Sequence, residues 1–224
     1  RVGALTLNTG ENILRTAVLD SANGFAYFGT NTSPGIVVKV RLSDFTRVGA
    51  LTLNTGENTL LSAVIDSAGV AYFGTNTLPG RVVKVDLASF TRVNALTLNT
   101  GENNLTAAII DPIRNVAYFG TNTSPGIVVA VNLATFARDS AMTLNTGENL
   151  VTSGVMDTAN CYAYFGTQTG PGIVIRKACI TPPPTPTPTA TPTDTPTATA
   201  TNTPVPPTDT PTNTPETSTS TPTD

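Results

Sequence analysis

The sequence predicts an all-β fold, a β-propeller of four antiparallel blades with four strands each. Three observations predict it. A stretch of about 45 residues recurs: it opens at Arg1 and restarts at Arg47, Arg92 and Arg138, at spacings of 46, 45 and 46 residues. Within each copy, short runs of β-branched and aromatic residues alternate with Gly, Pro, Asn and Asp clusters, the punctuation of strands and tight turns. Finally, runs such as Ala26-Tyr27-Phe28 and Val37-Val38 are apolar on both faces, so each sheet must be covered on both sides. One four-stranded sheet cannot cover itself, but copies stacked face to face can.

The elements of one copy follow in order. Strand A (14–19) and strand B (25–30) flank Asp20-Ser21-Ala22-Asn23-Gly24, a hairpin turn. Asn31-Thr32-Ser33-Pro34-Gly35 is the next turn, and the β-branched run from Ile36 to Val40 is strand C. A turn at Ser43-Asp44 leads to strand D (47–53), with Leu51 and Leu53 on one face. Asn54-Thr55-Gly56-Glu57-Asn58 then connects D to the next A. Helices are excluded: Gly and Pro recur in every copy, and no 3.6-residue apolar stripe survives two turns. The copies span 1–46, 47–91, 92–137 and 138–180, and a second region covers 181–224.

The order of a strand ending in Asp, a Gly-containing turn, AYFGTN, VVKVDLASF and RVNALTLN resembles the bacterial β-propeller repeats named for a Tyr-Val-Thr-Asn (YVTN) motif. Here the motif would be Tyr72-Phe73-Gly74-Thr75-Asn76 and its equivalents, which depart from it by one insertion and one substitution. The resemblance implies blades whose strands A to D run outward from the axis. It implies no activity, because propellers host enzymes and binding modules alike.

The phase of the repeat bears on closure. Residues 1–7 read as a strand D, whereas the last copy has A (151–156), B (162–167) and C (173–179) but no D. Residues 2–7 are therefore expected to pair with 173–179 and close a ring of four blades. The alternative is that the chain is part of a larger ring of six to eight blades, cut from a longer gene. The start at Arg1, on a repeat boundary and without a signal peptide, fits such a fragment. Cys161 and Cys179 lie nine residues either side of Gly170, so a symmetric hairpin sets them opposite each other at disulfide range. A disulfide there implies an oxidising compartment.

One face of the propeller collects the Asn-Thr-Gly-Glu-Asn connections and the Pro-Gly turns of all four copies. Asn8, Glu11, Asn54, Glu57, Asn99, Glu102, Asn145 and Glu148 are the candidate ligand-binding residues, a rim of carboxylates and amides for a cation or a sugar. Turn chemistry is the simpler account of the same letters. Asp20, Asp66, Asp111 and Asp157 read as turn starts at the opposite mouth. Tyr27, Tyr72, Tyr118 and Tyr164, with the Phe after each, read as core between blades. An active site breaks the symmetry of its repeats, and on this reading only the last copy deviates.

Composition narrows the function classes. The chain has no His, which removes the commonest general base and metal ligand. No phosphate loop, metal cluster or nucleophile elbow is present, so neither catalytic residue, metal nor cofactor is expected. The net charge is −3 and basic clusters are absent, which argues against nucleic acid. No apolar run reaches the roughly 18 residues of a membrane span. Residues 181–224 hold 19 Thr and 13 Pro. They read as a disordered stalk or linker of low complexity with polyproline-II character, up to roughly 130 Å long at about 3.1 Å per residue. The expectation is a secreted or cell-surface module, monomeric, that binds a protein or glycan. The other functional class is a propeller hydrolase or lactonase-like enzyme, by analogy alone.

Overall fold

A computed structural model describes residues 1–179. The Thr/Pro region and the boundary expected at 180/181 lie outside the described residues. Four antiparallel meanders follow one another. The first is β1 (Leu14–Asp20), β2 (Phe25–Thr30), β3 (Ile36–Arg41) and β4 (Thr46–Thr52). The second is β5 (Leu60–Ile65), β6 (Val70–Thr75), β7 (Arg81–Asp86) and β8 (Thr91–Thr97). The third is β9 (Leu105–Asp111), β10 (Val116–Thr121), β11 (Ile127–Asn132) and β12 (Ala137–Thr143). The fourth has three strands, β13 (Val151–Asp157), β14 (Tyr162–Thr167) and β15 (Val174–Ala178), paired in that order. These are propeller blades, and they stack through their first strands: β1 packs on β5, β5 on β9, and β9 on β13.

Burial follows from the stacking. The second strand of an inner blade is covered on both faces, and every residue of β10 is buried. The outermost strands β4 and β12 alternate between exposed and half-buried residues. Three hydrophobic cores form, one at each junction. Tyr27 and Val37 of the first blade meet Leu60, Phe73 and Val85 of the second. Tyr72 and Val82 meet Leu105, Phe119 and Val131 of the third. Tyr118 and Val128 meet Val151, Ala163 and Phe165 of the fourth. The Tyr and Phe of each second strand thus point to opposite neighbours, as the period of two requires.

Closure through the N-terminus is not formed. Residues 1–13 carry no strand, and among the described residues the sheet of β13–β15 has no fourth member. The reason is where the N-terminal stretch packs. A methyl group on Gly3 would sit 3.6 Å from the Phe45 ring, as one on Gly49 would sit 3.6 Å from Phe90. Residues 1–7 therefore lie on the flank of the first blade as β4 lies on the flank of the second. Among the described residues, no hydrophobic core joins β13–β15 to β1–β4.

Cys161 and Cys179 form a disulfide with Cα atoms 5.2 Å apart. The pairing Tyr162↔Ala178 places them one step beyond the β14–β15 ladder, and Cys179 N–H donates to Cys161 O at 3.0 Å.

Candidate functional site

Each Asn-Thr-Gly-Glu-Asn segment is a tight turn. Glu57 N–H donates to Asn54 O at 3.0 Å, and Gly56 sits at φ 84°, a conformation glycine adopts without steric cost. The Glu side chain folds back on its own turn, and Asn54 N–H donates to Glu57 Oε2 at 3.0 Å. Glu11, Glu102 and Glu148 accept from Asn8, Asn99 and Asn145 at 3.0, 2.9 and 2.8 Å.

Three of the four carboxylates are also held by arginine. Arg92 of β8 grips Glu57 through Nε and Nη2, with Nε 2.9 Å from each oxygen. Arg138 holds Glu102 in the same fork, and Arg47 of β4 holds Glu11. Bidentate pairs of this kind satisfy most lone pairs of a carboxylate. Glu57 and Glu102 are buried, at 1% and 4% exposure. The Arg47 hydrogen bonds lower the Glu11 pKa below its ordinary value, with burial opposing. These Glu side chains hold the outer strand of a blade to its own entry turn. Among the described residues Glu148 has no arginine partner, and the fourth blade has no outermost strand to supply one. The signal for these partners was in the sequence: Arg47, Arg92 and Arg138 recur 36, 35 and 36 residues after Glu11, Glu57 and Glu102.

The two turn families of the rim are stapled together between blades. Gly35, Gly80 and Gly126 N–H donate to Glu57, Glu102 and Glu148 O, each at 2.8 Å. Within the second-to-third-strand turn, Arg81 N–H donates to Thr75 Oγ1 at 2.9 Å, and Thr75 and Thr77 hydroxyls lie 2.7 Å apart. These bonds occupy much of the rim's polar surface, and what it offers a ligand is what they leave over.

One place on the rim leaves over more than the others. A groove of about 360 Å³ is lined by Gly56, Asn58, Asn76, Thr77, Leu78, Pro79 and Arg81. Asn58 Oδ1 is buried with no hydrogen-bond partner among the described residues, as are Asn104 Oδ1 and Asn149 Oδ1 elsewhere. Leu78 is exposed. The Arg81 guanidinium reaches over Gly56, where an added methyl would lie 3.1 Å from its Nη1, and among the described residues it forms no ion pair. The other copies carry Ser33, Ser124 and Gly170 where Leu78 stands, and Ile36, Ile127 and Ile173 where Arg81 stands. The second copy thus breaks the repeat symmetry, which corrects the reading that only the last copy does.

The remaining candidates resolve into structure. Asp66 Oδ1 accepts from Ala68 and Val70 N–H and its Oδ2 from Tyr72 OH, each at 2.9 Å. Asp20 and Asp157 accept from Asn23 and Asn160 in the same way. These are hairpin turn caps. Asp111 lies with Cys161 and Cys179 so that their donor atoms fall within 4.8 Å of one another. Cystine sulfurs carry no thiolate, and Asp111 is engaged by Arg114 at 3.0 Å. Among the described residues no helix is long and apolar enough to cross a membrane.

No protein-family model matches the chain, and no curated protein matches it in sequence. Solved structures do resemble it. The crystal structure of RRP9 WD40 repeats superposes with a TM-score of 0.58 at 10% identity, over 71% of this chain and 46% of that one. The structure of U3-55K gives 0.59 at 9% identity, over 76% and 53%. At such identities the likeness shows a WD40-like propeller fold. The chain spans about half the length of these structures.

Proposed function

We propose that this chain is a binding and structural module of the extracellular space or cell surface. Its ligand contact is the groove between the Gly56 and Pro79 turns. The observation that carries the reading is the convergence there of Arg81, the unpartnered Asn58 Oδ1 and exposed Leu78. A free guanidinium binds a carboxylate, an amide oxygen takes a hydroxyl or N–H donor, and Leu78 supplies apolar contact. An acidic protein segment or an acidic glycan presents that combination. The contact is placed there and not on Glu11, Glu57 or Glu102, whose carboxylates arginines already hold. Extracellular placement is supported by the Cys161–Cys179 disulfide and by the Thr/Pro-rich composition of 181–224.

The test uses the residues of the sister copies. Leu78→Ser and Arg81→Ile install the residues that the first and third copies carry at those positions, so both variants are expected to fold. Wild type is applied to immobilised acidic peptides and uronate- or sialate-bearing glycans. The expected result is binding that drops roughly tenfold or more in each variant. Binding by wild type that is unchanged in Arg81→Ile would overturn the site, and no binding to either class would overturn the ligand chemistry.

A further inference from the structure

Every interior junction between blades is one lock repeated. Leu60 fills a hollow over Gly29 and Gly35 of the preceding blade: methyl groups there would come within 2.7 and 3.0 Å of its side chain. Leu105 fills the hollow of Gly74 and Gly80, at 2.8 and 2.9 Å, and Val151 that of Gly120 and Gly126, with its Cβ and Cγ2 each at 2.8 Å. A second contact lies further out. Tyr27 OH donates to Leu87 O at 3.2 Å, and its ring lies 5.7 Å from Phe90. Tyr72 repeats the ring contact with Phe136 at 5.9 Å.

The two end blades carry the unused halves of one more such junction. On the fourth blade, Gly172 has nothing within 4 Å of an added methyl, and the only neighbour of one on Gly166 is its own blade's Ser153. A cavity of about 280 Å³ opens there beside Ser153, Tyr164, Phe165 and Val174. On the first blade, Leu14 is 43% exposed where Leu60, Leu105 and Val151 are 0%. Leu42 is 44% exposed where Leu87 is 1%. Among the described residues the edge of β15 has no outer strand, while residues 1–7 lie unpaired on the flank of the first blade. Glu148 lacks an arginine, while Arg1 stands at the repeat position of Arg47, Arg92 and Arg138.

We propose that two copies of this chain close one ring of eight blades, head to tail. Leu14 of each copy enters the Gly166–Gly172 hollow of the other. Residues Val2–Leu7 add to the edge of β15 in the second copy, and Arg1 pairs with Glu148 across the junction. The interior register fixes the pairing: Val37↔Leu51 and Val38↔Ala50 become Val174↔Leu5 and Ile175↔Ala4 between copies. The two junctions are equivalent and related by a two-fold along the ring axis, so a head-to-tail contact closes instead of growing a fibre. Eight blades lie within the propeller range. Closure also covers an open strand edge and apolar faces that otherwise invite aggregation. The proposed assembly is a dimer whose first strands are exchanged, where the sequence reading expects a monomer.

The experiment is native mass spectrometry and light scattering on the full 224-residue chain. The expected mass is about 46 kDa, twice the 23.1 kDa of one chain. A 23 kDa species at the highest soluble concentration, or an open ladder of larger ones, overturns the proposal. Leu14→Glu and Gly172→Leu change positions that are open in a single copy, so each is expected to give a folded monomer with an unchanged circular dichroism spectrum. A dimer that survives Gly172→Leu overturns the lock. Arg1→Glu and Glu148→Arg are each expected to weaken the dimer roughly tenfold, and the double variant to restore it. Failure of the double variant to do so overturns the strand exchange.

Discussion

Glu57 is the residue that best shows how a rim carboxylate is used. Its side chain is 2% exposed and that of its partner Arg92 is 23% exposed. Breaking a buried pair leaves the survivor's charge unsolvated, so the two truncations differ. Arg92→Ala strands the carboxylate and is expected to cost about 3–5 kcal/mol. Glu57→Ala strands a guanidinium that water already reaches, and costs less. Chemical denaturation of both variants checks the order, and equal losses would show that the Asn54 cap, not the ion pair, carries the energy. Glu11 provides the pH test. Arg47 lowers its folded pKa relative to an unfolded value of about 4.3. A depressed carboxylate stabilises the fold at pH above the unfolded value, and that stabilisation is lost as pH falls through the folded one. Arg47→Ala is expected to raise the Glu11 midpoint in an NMR titration and to flatten the acid limb of the stability curve. An unmoved midpoint would contradict the assignment. The constant spacing of these arginines from the glutamates is visible in the sequence but the pairing is not, because each pair joins residues about 35 apart and needs the whole meander to bring it together.

At the scale of the element, strands were legible and their neighbours were not. The strands expected at 14–19, 25–30 and 36–40 appear as β1, β2 and β3 within a residue at each end, because turn chemistry and β-branched runs are local signals. The disulfide was legible for the same reason: a hairpin symmetric about its turn sets the partner of every residue. Packing between blades was not, since Gly29 and Gly35 read as strand and turn glycines until Leu60 is seen between them. Those glycines yield a prediction. Gly80→Ala pushes a methyl to 2.9 Å from Glu102 O and is expected to cost about 1–3 kcal/mol by overpacking. Gly172→Ala, with nothing within 4 Å, is expected to be neutral in a single copy, and thermal melts at low protein concentration compare the two. The disulfide closes a loop with a sequence separation of 18, for which removal is expected to cost about 3 kcal/mol. Cys161→Ser/Cys179→Ser against the oxidised wild type measures it, and thiol titration without reductant that found two free thiols would withdraw the argument for an oxidising compartment.

At the scale of the molecule, stability is set by how many neighbours each blade has. Repeats that contact only their neighbours sum their own stability and their junction terms. The second and third blades each bury two faces against other blades, and the first and fourth bury one. Leu14 and Leu42 on the first blade and Val155 and Val174 on the fourth are exposed, the apolar faces that no blade among the described residues covers. The sequence showed the open edge of the last copy but not where residues 1–7 pack, since one strand-like segment fits either flank until the Phe45 contact selects one. Local opening follows the same ranking, because segments with fewer buried contacts open at lower free energy. In the single-chain state, isolated with Leu14→Glu, amides of β6 and β10 are expected to exchange slowest and those of β14 and β15 fastest. In wild type, β14 and β15 are expected to slow toward the interior blades as concentration rises, because assembly stabilises the folded state by mass action. Hydrogen exchange followed by mass spectrometry across a dilution series reads both. Uniform protection of all four blades in Leu14→Glu would mean that the first and fourth blades already cover each other within one chain, leaving no unused junction for a second copy to fill.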